Sequence, residues 1–188
     1  MPFQIIRNDI TKVKADAIVN TANPKPRIGR GTDSAIYAAA GEQQLLEERK
    51  KIGEIAPGQA ASTDAFNLDA KYIIHTVGPA WVDGAHGERD ILRSCYETSL
   101  ELAAELKCKS IAFPLIASGV YGFPKDEALN IPRKRGFVHN VPCFGRTKTH
   151  PPIFSQKMNL RVNLWQHRII LRADTASEVC QLLSKKRR

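Results

Sequence analysis

The segment from Ala17 to Gly41 constrains this chain more than any other. An apolar run, Ala17-Ile18-Val19, passes into Asn20-Thr21-Ala22-Asn23, then a Pro/Gly stretch, then Gly29-Arg30-Gly31-Thr32-Asp33 and an alanine-rich helical run from Ser34 to Gly41. A strand closed by two amides and followed by a glycine loop that opens a helix is a unit of an α/β fold. It aims backbone N–H groups and the positive end of the helix dipole at one spot, where an anion docks. A phosphate-bearing ligand is the first expectation.

The same alternation runs through the first 130 residues. Phe3 and Ile5 fall in a short strand-like run, and Lys71-Tyr72-Ile73-Ile74-His75-Thr76-Val77 and Ser110-Ile111-Ala112-Phe113-Pro114-Leu115-Ile116 are continuous apolar runs ended by Gly/Pro signals. Such runs read as central strands buried on both faces. From Glu88 to Leu106, Ile91, Leu92, Cys95, Tyr96, Ser99, Leu100 and Ala103 recur at spacings of three and four, which predicts a helix with one apolar face. The expected architecture is a layered α/β/α domain with helices on both sheet faces. Ligands of such folds sit outside the strand ends, where loops meet helix N-termini.

Composition narrows the setting. A chain of 188 residues with 43% hydrophobic content holds about one domain and one packed core. No run approaches the roughly 20 apolar residues of a membrane span, and Met1-Pro2-Phe3-Gln4 leads into no signal-like stretch, so a cytoplasmic protein is expected. Cys95, Cys108, Cys143 and Cys180 are scattered without paired spacing. They are read as reduced thiols, and no metal or cofactor is expected. The net charge of +9 is unevenly shared: residues 1–130 carry 15 Lys/Arg against 17 Asp/Glu, residues 131–188 carry 13 against 2. The basic segment allows a nucleic-acid contact as a minor reading, although few aromatics interleave with its charges.

Three loops stand at strand ends of the predicted sheet: Asn20 to Asp33, Val77-Gly78-Pro79-Ala80-Trp81 after the strand holding His75, and Ala117-Ser118-Gly119-Val120-Tyr121-Gly122-Phe123-Pro124 after Ile116. Gly119 and Gly122 permit close backbone approach to a diphosphate, and Ser118 offers a hydroxyl. Neither a P-loop lysine nor Gly-x-Gly-x-x-Gly occurs. His75, inside an apolar strand, reads as a hydrogen-bonded core histidine, and Trp81 as a loop-packing aromatic.

These motifs, in this order and together with Arg7-Asn8-Asp9-Ile10-Thr11, resemble the macro domain, the ADP-ribose-binding module; the resemblance covers about residues 1–131. It implies a three-layer α/β/α fold with a mixed sheet that grips ADP-ribose, free or attached to a protein, at one sheet end. It also implies roles: Asp9 receives the adenine amino group with Ile10 alongside, Ser118, Gly119, Val120, Tyr121 and Gly122 wrap the diphosphate, and Tyr121 nears the distal ribose. Asn20, Gly29 and Gly31 complete the implied binding residues. Asn23 and Asp33 have the spacing of the distal-ribose Asn and the Asp of hydrolytic, MacroD-type members. The implied chemistry is attack by water, oriented by Asp33, on the anomeric carbon of the distal ribose that Asn23 holds, releasing a protein carboxylate or acetate. Substrates implied are mono-ADP-ribosylated proteins or O-acetyl-ADP-ribose, and the alternative is a reader without catalysis. The residues alone leave other roles open: Asp9 as a turn or helix cap, Asp33 as cap of the helix from Ser34, Asn20 as a tie between loops.

The chain also departs from the family pattern. Arg30 interrupts the usual glycine run, Thr32 replaces a small apolar residue, Ser34 a glycine, and Tyr37 stands where a His is common. Beyond Ile131 the resemblance stops, with Pro132-Arg133-Lys134-Arg135-Gly136 and further prolines at 142, 151 and 152. A helix begun at Asp126 is expected to end near Asn130. Leu160 to Leu164 and Ile169-Ile170-Leu171 read as short strands, and Thr175 with Glu178 as a capping box. Residues 132–188 thus form a divergent basic segment, read as an altered C-terminus that lacks the family's closing strand and helix.

Overall fold

The computed structural model describes residues 4–134 and 169–173. In chain order the elements are β1 (Gln4–Arg7), a 3-10 turn (Ile10–Lys12), β2 (Ala17–Thr21), α1 (Thr32–Ala40), α2 (Glu42–Ile52), β3 (Ala60–Asp64), β4 (Tyr72–Thr76), α3 (Glu88–Glu105), β5 (Ile111–Pro114), α4 (Lys125–Lys134) and β6 (Ile169–Ala173). They build one sheet of six strands in the order β1-β6-β5-β2-β4-β3. β5, β2 and β4 are parallel, while β6 runs antiparallel to both β1 and β5, and β3 antiparallel to β4. β1 therefore points the same way as the parallel core, and its C-terminal end lies on the same sheet edge.

The continuous apolar runs follow from burial on both faces. Along β2, Ala17 and Val19 join Ile74, Ile111 and Phe113 in a cluster closed by Leu92, Cys95, Tyr96 and Leu100 of α3 and Ala128 of α4. Ile18, Ile73 and Ala112 face the opposite way and meet Ile36, Tyr37 and Ala40 of α1, Leu45 of α2, and Ile10 and Val13. This period-two split makes a three-layer α/β/α domain with two cores, one on each sheet face.

Differences from expectation have local causes. β3 and α2 carry no strong apolar run: β3 is an edge strand reading Ala-Ala-Ser-Thr-Asp, and α2 buries only Leu45 and Arg49 fully. The helix expected to stop near Asn130 continues to Lys134 through Pro132. Pro132 sits in the last turn, where its missing N–H costs one hydrogen bond rather than breaking the helix. Ile169-Ile170-Leu171 does form a strand, β6, between β1 and β5, so the sheet does not lack a strand there. The stretch at Leu160 to Leu164, the pattern at Thr175 and Glu178, Cys143 and Cys180 lie outside the described residues. Among the described residues no helix is long and apolar enough to cross a membrane.

Candidate functional site

Three loops and the turn after β1 leave the sheet at the edge where β5, β2 and β4 end. Register places Asn20 beside His75 at the ends of β2 and β4, both on the face covered by α1 and α2. There a line of polar groups is sealed inside the protein. Asn20, His75, Asp33 and Thr63 are all buried. Asn20 Nδ2 donates to Asp33 Oδ1 at 2.6 Å and to His75 Nδ1 at 3.2 Å, and His75 Nε2 pairs with Thr63 Oγ1 at 3.0 Å. Thr63 Oγ1 in turn donates to Asp64 O, so a neutral imidazole protonated on Nε2 satisfies every link. Burial, followed by the nearby Arg49 charge, pushes the His75 pKa down to about 3. His75 is thus a core histidine, as its strand setting predicts.

That setting makes a stability prediction. The folded pKa of His75 lies below its unfolded value, so the unfolded chain takes up a proton the fold refuses. Stability from this group is complete above about pH 6.5 and declines as pH falls toward 3. Denaturant titrations between about pH 7 and 5 should show the decline, and a His75→Gln variant should flatten it. An unchanged slope in that variant would place the proton uptake elsewhere.

Asp33 is the second residue of α1, and its carboxylate reaches backward rather than capping the helix. Gly29 N–H donates to Oδ2 at 2.5 Å, while Oδ1 takes the Asn20 amide. A Cβ on Gly29 would lie 3.0 Å from Asp33 Oδ2, so a side chain there would push the carboxylate outward by a few tenths of an ångström. The helix N-cap is Gly31, whose φ of 68° needs glycine, and Ser34 Oγ donates to its carbonyl. Burial raises the Asp33 pKa above its usual value, opposed by the Gly29 N–H, the Asn20 amide and the Arg49 charge.

Arg49 was not visible as a site residue. It is 1% exposed, and its guanidinium donates to the carbonyls of Asn23 at 3.2 Å, Pro24 at 3.1 Å and Gly53. It therefore clamps the base of the β2–α1 loop onto α2. The available sequence signal is its place four residues after Leu45, a cation on the apolar face of a helix. Tyr37, also buried, is pushed up to about 12 by burial and by the Asp33 charge. Asn23 is half-buried, and its Oδ1 accepts from Lys25 N–H at 3.1 Å, which leaves Nδ2 as its donor toward a ligand.

The loop after β5 approaches from the other core. Ala117 adopts a left-handed φ of 60°, a strained backbone for a residue with a side chain. The Ser118 hydroxyl is turned inward onto Leu115 O at 2.8 Å, and the N–H groups of Ser118 and Gly122 donate to Leu115 O and Gly119 O, which leaves those of Gly119, Val120 and Tyr121 as the donors this loop can offer. Gly119, Val120 and Gly122 are exposed, and Tyr121 O accepts from Trp81 N–H at 2.8 Å, joining this loop to the one after β4. Trp81 packs edge-on against Phe123 at 4.7 Å, with the Arg89 guanidinium over its ring at 5.3 Å. Burial, followed by the Asp33 charge, raises the Tyr121 pKa and the Arg27 charge opposes it, so the hydroxyl lies within electrostatic reach of the β2–α1 loop. Asp9 caps the 3-10 turn after β1 by accepting from Thr11 N and Oγ1, and Ile10 is buried against α1.

Asp83, His86 and Glu88 also cluster, but they organise the loop before α3. Burial alone would raise Glu88; its own backbone N–H and those of Gly84, Val82 and His86 outweigh it and hold the carboxyl down at about 2.

Fold and site together define an α/β/α domain whose glycine-bearing loops meet over a buried carboxylate at the ends of parallel strands. Residues 19–132 match the family model of the macro domain, and this chain belongs to that family. A macro domain-containing protein of Methanosarcina mazei is 51% identical over 129 residues, 69% of this chain and 68% of that protein. The O-acetyl-ADP-ribose deacetylase of Citrobacter rodentium is 48% identical over 132 residues, 69% of this chain and 75% of that protein. Among solved structures, the Oceanobacillus iheyensis macrodomain with ADP superposes with a TM-score of 0.64 at 39% identity, over 66% of this chain and 69% of that one. The Trypanosoma brucei macrodomain in complex with ADP-ribose gives 0.61 at 37%, over 66% and 51%.

Proposed function

We propose that this protein binds ADP-ribose in the mouth formed by these loops and hydrolyses ADP-ribosyl linkages, on a mono-ADP-ribosylated protein or on O-acetyl-ADP-ribose. The observation that carries this reading is the Asp33 carboxylate, buried, raised in pKa and fixed at both oxygens where the three loops converge. In this reading Asp9 and Ile10 take the adenine, the loop from Ser118 to Gly122 wraps the diphosphate with the N–H groups of Gly119, Val120 and Tyr121 as donors, and Asn23 Nδ2 holds the distal ribose. Gly29 and Gly31 keep the opposite loop low, and Asn20 acts through Asp33. The reaction breaks the bond from the anomeric carbon to its leaving oxygen while a water oxygen bonds to that carbon; Asp33 orients the water and draws its proton.

Calorimetric titration with ADP-ribose tests the binding half. Micromolar affinity is expected, with a loss of about tenfold or more in Asp9→Ala, the scale of a hydrogen bond to a charged group. Because Asp9 also caps the 3-10 turn, both proteins are melted in parallel. Equal affinities in two folded proteins would remove Asp9 from the site. A second reading, a reader without catalysis, draws on the departures from the family pattern at Arg30, Thr32, Ser34 and Tyr37.

A further inference from the structure

The loop between β2 and α1 displays three cations at the entrance. Lys25, Arg27 and Arg30 are exposed, and residues 23–31 hold no acidic side chain. The ion pairs of the described residues lie elsewhere and use none of the three. Asp33, the acid nearest in sequence, is turned to Gly29 and Asn20, and Glu54, beside Ile55 whose N–H donates to Pro24 O, pairs with none of the three. The backbone presenting these charges is held at one end by the Arg49 fork on Asn23 and Pro24 and at the other by Gly29 on Asp33. All three cations lie on the anchored stretch between Asn23 and Asp33, so they flank the two residues proposed above to meet the distal ribose. The sign is local: residues 1–130 as a whole carry 15 Lys/Arg against 17 Asp/Glu.

Resting on the ADP-ribose site proposed above, we infer that Lys25, Arg27 and Arg30 form a docking rim for the protein part of the substrate and select ADP-ribosylated segments rich in Asp and Glu. With the distal ribose held between Asn23 and Asp33, whatever is attached to its anomeric carbon leaves the mouth over this loop. Acidic residues flanking the modified position then meet three unpaired cations, which speeds encounter and adds modest, salt-screened attraction. An O-acetyl group carries no charge for them to meet. The rim separates substrates by what surrounds the ADP-ribose, a property the buried groups cannot supply.

The test uses two synthetic peptides mono-ADP-ribosylated on the same glutamate, one with acidic and one with basic flanks, and free ADP-ribose beside them. At about 50 mM salt the acidic peptide is expected to be favoured about tenfold in kcat/KM, or in Kd where turnover is absent, shrinking to about twofold at about 300 mM. A Lys25→Gln/Arg27→Gln/Arg30→Gln protein with an unchanged Tm should lose that preference. Equal handling of the two peptides at low salt, by a protein that binds free ADP-ribose, overturns the rim alone. Absence of ADP-ribose binding by the folded chain overturns the site and the rim together. A preference for an ADP-ribosylated oligonucleotide over the acidic peptide also overturns it.

Discussion

Replacing Asp33 by alanine is expected to lower kcat for hydrolysis of an ADP-ribosylated glutamate by about 100-fold or more, the usual loss when a positioned base is removed. Affinity for ADP-ribose is expected to fall by no more than about tenfold, because the side chain acts on water and not on the ligand's phosphates. The split matters, since Asp33 also receives Gly29 N–H and the Asn20 amide. A role confined to loop organisation would move affinity and rate together, and that outcome would favour the reader. The pH profile gives a second readout. Asp33 must be ionised to draw a proton, and burial raises its pKa, so the rate should rise with pH along a limb above the ordinary carboxylate range. A limb at the ordinary position, or none, would take Asp33 out of the chemistry.

Arg49→Met is expected to destabilise the protein by about 3 kcal/mol, because three carbonyls inside the loop base lose their donor at once. For a domain of this size that is a fall in Tm of roughly 6–12 °C. The charge has a separate consequence: Arg49 lowers the Asp33 pKa, so its removal should push the acid limb further up. Arg49→Lys keeps the charge and loses the fork. It should restore the limb while recovering only part of the stability, and full recovery of both would mean that the guanidinium geometry is immaterial. Chemical denaturation and the rate profile of the same proteins decide the matter.

The parts of the fold legible in the sequence are those where burial on both sides demands it. The runs at Ile18, Ile73 and Ile111 declare β2, β4 and β5, and the spacing of Leu92, Cys95, Tyr96 and Leu100 declares α3. β3 escaped because an edge strand needs few apolar residues, and α2 because its surface is charged and its buried face is partly a cation. Of the site, the loops were readable from their glycines and amides. The ties between them were not. Asn20 was open to reading as a tie, but that its amide goes to Asp33 and His75, that Ser118 turns inward, and that Arg49 crosses from α2 to the Asn23 loop are matters of register between distant segments, and a single chain of letters carries no register. Arg27 was invisible for the same reason, since its relation to Tyr121 exists only once two loops from different strands face each other.

The two cores described for the sheet give the mouth a mechanical character. Its β2–α1 wall is rooted in the core of α1 and α2, whereas Trp81, Ile116, Ala117, Tyr121 and Phe123 belong to the core of α3 and α4. The opening therefore straddles a seam, and the two loops joined through Trp81 and Tyr121 form one jaw against the other. A molecule spanning that seam acts as a clasp between the two halves, so occupancy should stiffen regions well removed from the ligand on both sides of the strands.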